Sequence, residues 1–175
     1  MLMISIRVKW SFGVQMSDNL NKPGHLARRF QQVAVAVFHA EVEKAGFDLT
    51  PVQYAALTAI KKSPGIDQVT LAALIAYDRT TIMGVIDRLA QKGLVLRRTT
   101  ERDRRVRELV ITDEGRSILQ RIEPAVRSAQ KIMLRGLNSN EANELVRLLQ
   151  KTIAAGNELS RAPLRAKPAK TVGKK

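Results

Sequence analysis

Cysteine is absent from the 175 residues. That excludes disulfides, thiolate zinc sites and thiol-based redox sensing. His25 and His39 are the two histidines, too few for a metal centre built from imidazole, so neither metal nor cofactor is expected. Aromatic residues make up only 4 % of the chain, against 45 % hydrophobic residues in all. The apolar stock is therefore Leu, Ile, Val and Ala, which suits helices packing on helices. Acids are scarce as well: 16 Asp and Glu face 30 Lys and Arg, a formal charge of +14. Such a balance points to a polyanionic partner, most often nucleic acid and sometimes an anionic membrane. No apolar run approaches the roughly 18 residues needed to cross a bilayer. Paired carboxylates with a placed histidine, a glycine-rich phosphate loop and a cysteine nucleophile are all missing, so no catalytic residue is assigned and no enzyme is expected. His39 reads as a polar-face residue, not a base. The expectation is a soluble, cytoplasmic protein with no membrane partner.

The chain opens MLMISIRVKWSFGVQ. Arg7 and Lys9 interrupt the apolar start before a signal-peptide core can form. Ile4, Ile6, Val8 and Trp10 alternate as a strand would. Residues 1–22 are nevertheless expected to be a disordered leader, with 1–15 an upstream extension of little structural weight. A first helix fits about Pro23–Ala45, where Leu26, Phe30, Val33, Val37 and Phe38 recur at helical spacing. Thr50, Pro51 and Gln53 then make a capping box with proline in the first turn. The helix they open carries Val52, Ala56, Leu57 and Ile60, and stops before Pro64 and Gly65. A short helix near Gln68–Ala76 follows, with Leu71, Leu74 and Ile75 apolar, and breaks at Tyr77-Asp78. Asp78 caps a further helix, Arg79–Lys92, and Gly93 stands just past its end.

The helix pair around Tyr77-Asp78 is the informative unit. Ile82, Val85, Ile86 and Leu89 form one apolar stripe of the second helix. Arg79, Thr80, Thr81, Gly84, Asp87, Arg88 and Gln91 occupy its other face. Small, hydroxylated and basic side chains near a helix start suit entry into a DNA major groove. Taken alone, the same pattern describes an amphipathic helix with a solvated face. The following segment favours the first reading over a solvated hairpin made basic for solubility. From Arg97 to Arg107 there are six arginines and two acids, flanked by the apolar runs Leu94–Leu96 and Leu109–Ile111. A hairpin with an arginine-built tip directly after a recognition helix describes a winged helix-turn-helix, and arginine suits the negative potential of a narrow minor groove. The expected DNA contacts are Gln68, Thr70, Asp78, Arg79, Thr80, Thr81, Gly84, Arg88, Arg97, Arg98, Arg102, Asp103, Arg104 and Arg105.

Beyond the wing, Thr112 caps a long helix, about Asp113–Leu137, with Ile118, Ile122, Val126, Ala129 and Met133 as its stripe. Pro124 lies inside it and is expected to bend or locally break it. Asn138 and Glu141 make a second capping box, and a last helix reaches about Ser160 with Ala142, Leu145, Val146, Leu149 and Ile153 apolar. These stripes need burial, and a partner subunit supplies it economically; packing into one intrachain bundle is the alternative. Residues 161–175 carry six Lys or Arg and no acid. They are expected to be a disordered basic tail.

The stretch DRTTIMGVIDRLAQKGLVLRRTTERDRRVRELVITDEG resembles the signature region of MarR-family regulators. The matching features are the Asp-Arg-Thr-Thr start of the recognition helix, Asp87-Arg88-Leu89, the exit Lys92-Gly93-Leu94-Val95, the wing pair Asp103 and Arg105, and Thr112 with Glu114-Gly115. Ile111 stands where the family usually has leucine and keeps the strand apolar. The resemblance spans about Leu26–Leu159. It implies that Arg105 enters the minor groove, oriented by Asp103, and that the terminal helices dimerise. The stretches LTPVQYAALTAI and PGIDQVTLAALIAYDRTTI further resemble a MarR subgroup linked to aromatic-acid and nicotinate catabolism. The family also implies an effector pocket between the dimerisation helices and the DNA-binding lobe. There His25, Arg28, Arg29, Gln32, His39, Thr50 and Tyr54 offer cations and hydrogen bonds beside Phe30 and Phe38. A small aromatic carboxylate of nicotinate or benzoate type suits that mixture, unless the arginines pair with Glu41 and Glu43.

The expected fold is thus mainly α with a small β-wing. The N-terminal dimerisation helix covers 23–48, the winged helix-turn-helix lobe 49–112, and the C-terminal dimerisation helices 113–160. The expected function is sequence-specific binding of double-stranded DNA by a homodimer, as a transcriptional repressor of a palindromic operator released by the small acid. A basic protein that coats DNA without regulation, and an adaptor that binds no DNA, are the alternatives.

Overall fold

The computed structural model describes residues 18–99, 107–160 and 163. The chain divides between Val33 and Ala34 into two compact units. The first contains a 3-10 turn at Asp18–Asn21 and the opening turns of α1 (Pro23–Lys44). The alternating segment at residues 4–10, the wing tip and most of the basic tail lie outside the described residues.

The second unit holds the rest of α1, then α2 (Pro51–Lys62), β1 (Ile66–Asp67), α3 (Gln68–Leu74), α4 (Arg79–Gln91), β2 (Val95–Thr99), β3 (Arg107–Ile111), α5 (Asp113–Met133) and α6 (Ser139–Ala155). Its core is aliphatic, as the scarcity of aromatics requires. Leu57 and Ile60 of α2, Leu71 of α3, Ile82, Ile86 and Leu89 of α4, Leu109 of β3 and Ile122 of α5 are all fully buried. The fold is mainly helical, with the small sheet and flanking helices of a winged helix-turn-helix.

Local chemistry sets the boundaries. At α2, the Gln53 N–H donates to Thr50 Oγ1 at 3.3 Å and the Thr50 N–H to Gln53 Oε1 at 3.1 Å, the expected capping box. α3 is shorter than its apolar pattern suggests. Ala76 takes φ of 58° and the Tyr77 N–H reaches back to the Ala72 carbonyl at 3.0 Å, which closes the helix before Ala76. α4 ends as the glycine predicts: Gly93 has φ of 70° and the Leu94 N–H donates to the Leu89 carbonyl at 2.9 Å.

The sheet has three antiparallel strands in the order β1-β3-β2, not the two of a simple hairpin. Leu109 pairs with Ile66 on one side and Arg97 on the other. β1 is two residues long, too short for any periodicity. It exists because Gly65, at φ of 79°, turns the chain so that its N–H meets the Leu109 carbonyl at 3.1 Å.

α5 ends at Met133, short of the expected Leu137, because a tight turn intervenes in which the Leu137 N–H donates to the Leu134 carbonyl at 2.9 Å. The helix runs unbroken through Pro124. It is anchored at its start: the Thr112 hydroxyl donates to the Gly93 carbonyl at 2.8 Å and accepts the Gly115 N–H at 3.0 Å. A Cβ on Gly115 would collide with the Leu94 carbonyl oxygen and lie 2.8 Å from Ile111 Cγ1, so glycine is required where helix meets strand. α6 opens on the Asn138–Glu141 capping box, ends at Ala155 and is followed by a 3-10 turn at Asn157–Leu159. It buries no side chain in the single chain. No single helix among the described residues is long and apolar enough to cross a membrane.

Candidate nucleic-acid interface

α3 and α4 meet at 109°, within the range of helix-turn-helix units. α4 turns Ile82, Val85, Ile86 and Leu89 inward and buries all four. Arg79, Thr80, Thr81, Gly84, Arg88 and Gln91 are exposed. Thr80, Gly84 and Arg88 follow one another at four-residue spacing, one row along the outward face. Gly84 is the unusual member. Glycine inside a helix costs about 1 kcal/mol relative to alanine, yet a Cβ there would meet nothing within 4 Å.

The start of α4 is fixed by Asp78. Its carboxylate accepts the Thr81 N–H at 2.8 Å and the Thr81 hydroxyl at 2.6 Å. These bonds, the hydroxyl's first, hold the Asp78 carboxyl below its usual range. Asp67 repeats the device at α3, accepting from the N–H groups of Val69 and Thr70 at 2.9 Å and from the Thr70 hydroxyl at 2.5 Å. Partial burial pushes the Asp67 carboxyl up, but the Thr70 and Val69 hydrogen bonds outweigh it, and it too titrates low. Both N-termini therefore keep their first turns tight while leaving the Arg79 and Thr80 side chains outside.

Two ion pairs brace α4. Arg97 Nη2 of β2 lies 2.5 Å from Asp87 Oδ1 of α4, with both side chains partly buried. The pair ties the root of the wing to the middle of the helix. Lys92, at the end of α4, donates to the Asp48 carbonyl at 2.6 Å and carboxylate at 2.7 Å. It fastens the loop before α2 to the helix C-terminus, and the lysine draws the Asp48 carboxyl below its usual range.

The sequence-expected DNA contacts thus separate by place. Arg79, Thr80, Thr81, Gly84 and Arg88 share the exposed side of α4, and Arg98 is exposed on β2. Gln68 and Thr70 lie half-buried at the start of α3. Asp78, Thr81, Thr70 and Arg97 are each held by a partner inside the chain. Arg102, Asp103, Arg104 and Arg105 lie outside the described residues.

The expected effector residues also divide. In the first unit His25, Arg28, Arg29 and Gln32 lie on α1; the latter three are exposed, and His25 Nε2 is buried with no hydrogen-bond partner among the described residues. In the second unit the Phe38 ring packs 5.8 Å from that of Tyr54 and edge-on to His39. Thr50 is committed to capping α2. The Tyr54 hydroxyl donates to Glu123 Oε2 of α5 at 3.1 Å. Burial, then the Glu123 charge, raises the Tyr54 pKa. Glu123 carried no sequence signal, because its partner is 69 residues away. His39 lines a cleft of about 310 Å³ with Val42, Glu43, Phe47, Asp48 and Leu49. The described residues hold no cluster of three or more His, Asp or Glu able to bind a metal.

The MarR family model matches residues 49–106, the lobe just described. The transcriptional regulator HosA of Escherichia coli O157:H7 is 33 % identical over 131 residues, covering 75 % of this chain and 94 % of HosA. The chain belongs to the MarR family. MarR-family proteins are DNA-binding regulators, and this chain is one of them. Among solved MarR-like structures, the PcaV regulator of Streptomyces coelicolor in complex with its natural ligand superposes with a TM-score of 0.72. It is 32 % identical and covers 79 % of this chain and 96 % of PcaV. Bordetella bronchiseptica BpsR, whose DNA binding is regulated by 6-hydroxynicotinic acid, gives 0.71 at 29 % identity, covering 76 % of this chain and 94 % of BpsR. The kinship is thus with regulators related to aromatic-acid catabolism.

Proposed function

We propose that this MarR-family chain is a dimeric repressor of a palindromic operator. The lobe at 49–112 reads DNA, and the helices at 23–48 and 113–160 join the subunits. The observation that carries the proposal is α6. Leu145, Val146, Leu148, Leu149 and Ile153 span a broad apolar arc of a helix that buries none of its side chains. An amphipathic helix of that kind needs a partner. Two-fold pairing through it sets two α4 helices on one face of a duplex, one helical turn apart. Footprinting on the DNA upstream of the chain's own gene tests this. Protection of an inverted repeat supports it, and uniform binding to unrelated DNA reduces the protein to a DNA-coating role.

The effector is proposed to be a small aromatic carboxylate. BpsR, whose DNA binding is regulated by 6-hydroxynicotinic acid, supplies the analogy. This chain supplies an aromatic pair, Phe38 and Tyr54, with Glu123 at the tyrosine hydroxyl. A carboxylate of the ligand would be repelled there, so the Tyr54 and Glu123 end suits a ring hydroxyl or ring N–H. Titration of nicotinate, 6-hydroxynicotinate and benzoate against a labelled operator is the test. A coupling of about 1–3 kcal/mol lowers operator affinity roughly 5- to 150-fold. No shift with any of them ends the effector reading. A shift that survives Tyr54→Phe and Glu123→Gln unchanged moves the site elsewhere.

A further inference from the structure

Gly84 sits where the chain itself has no need of glycine. The other glycines around the DNA-binding lobe have internal reasons. Gly65 and Gly93 take positive φ, and Gly115 has no room for a Cβ. Gly84 lies in the middle of α4 with open space where its side chain would be. No described residue around it gains from the missing methyl, and the helix is weaker for it. The demand must come from what α4 meets outside.

Its neighbours indicate the chemistry. Thr80 and Arg88 stand one turn before and after it, both exposed. Met83 beside it is 51 % exposed, a large apolar side chain on an otherwise polar face. A bare Cα next to an exposed thioether and a threonine methyl makes a shallow apolar notch. In the major groove, the apolar group projecting from the base edges is the C5-methyl of thymine.

Resting on the reading of α4 as a major-groove helix, we propose that Gly84 is its point of closest approach to the bases and that the notch among Thr80, Met83 and Arg88 seats one thymine methyl. This position then selects thymine over cytosine at one base pair of each half-site.

The test uses the full-length protein and a duplex it selects from a random pool, read by fluorescence anisotropy at fixed salt. Each thymine is replaced in turn by deoxyuridine, which lacks only the methyl. The wild-type protein should lose about fourfold in affinity at one symmetric thymine, the worth of one buried methyl. Gly84→Ala fills the notch in both protomers and should bind the unmodified duplex about 5- to 150-fold more weakly for each half-site, the size of one mismatched base pair in each. Deoxyuridine at that same thymine should return part of the loss. The variant's Tm should rise by about 2–4 °C, so that weaker binding does not reflect unfolding. Wild-type affinity in Gly84→Ala overturns the close approach. A loss that no deoxyuridine moderates overturns the thymine assignment. If the wild-type protein selects no sequence at all, the failure lies in the DNA reading on which the proposal rests.

Discussion

Replacing Ile153 by serine probes the subunit contact with little disturbance of the single chain. Ile153 is 67 % exposed on α6. Full burial of an isoleucine side chain stabilises by about 1.5–3 kcal/mol. The two-thirds still exposed is therefore worth about 1–2 kcal/mol per protomer if the dimer covers it. Symmetry counts the site twice, so Ile153→Ser should cost the dimer about 2–4 kcal/mol. That corresponds to a rise in the dimer Kd of roughly 30- to 700-fold. Sedimentation equilibrium across a concentration series measures it directly. Helical content by circular dichroism should be unchanged at concentrations where both proteins are dimeric, because no intrachain core is touched. An unchanged dimer Kd would refute burial of this face between subunits. A loss of helix content without dissociation would refute the view that α6 folds independently of Ile153.

Three further outcomes follow from the DNA-binding lobe. Asp87→Ala and Arg97→Ala should each weaken operator binding while shifting stability by only about 0.2–1 kcal/mol, as for other partly exposed ion pairs, and a double-mutant cycle should find the two effects coupled. Gly115→Ala should destabilise the fold by about 1–3 kcal/mol in urea unfolding, because the added methyl strikes the Leu94 carbonyl and Ile111. Stability should also fall in acid. Asp67 and Asp78 have folded pKa values below the ordinary 3.8. Their contribution is fully present above that value and is lost as the pH falls through the lower folded ones. Asp67→Asn with Asp78→Asn should flatten that limb of a Tm-against-pH curve; an unaltered limb would remove the caps as its cause.

What was legible in the sequence was local. Thr50 with Gln53, Asn138 with Glu141, Asp78 and Gly93 each announce a helix end through groups at most a few residues apart, and each acts as its spacing implies. The α4 stripe was legible because four aliphatic residues at helical period admit only one inward face. Contacts between distant segments were not. Tyr54 finds Glu123, and Asp48 finds Lys92, only after several elements have packed. β1 escaped because two residues have no period, and its cause lies in the φ of Gly65 and a carbonyl on β3. α3 ends short of its apolar pattern because Ile75 continues the stripe, while Ala76, a residue with no turn signature, takes the left-handed conformation. The residue types of the α4 face could be read in advance. That Gly84 has no internal reason could not, since that depends on the empty space around it.

The most direct measurement of the central claim is binding of the full-length protein to its selected duplex and to a scrambled one of equal length across a salt series. A specific regulator reading bases through α4 should prefer the selected duplex by about 10³-fold or more at physiological salt. It should protect two half-sites about one helical turn apart. Arg88→Ala should narrow the preference. Equal affinity for both duplexes, falling steeply and in parallel with salt, would contradict it and leave only phosphate attraction.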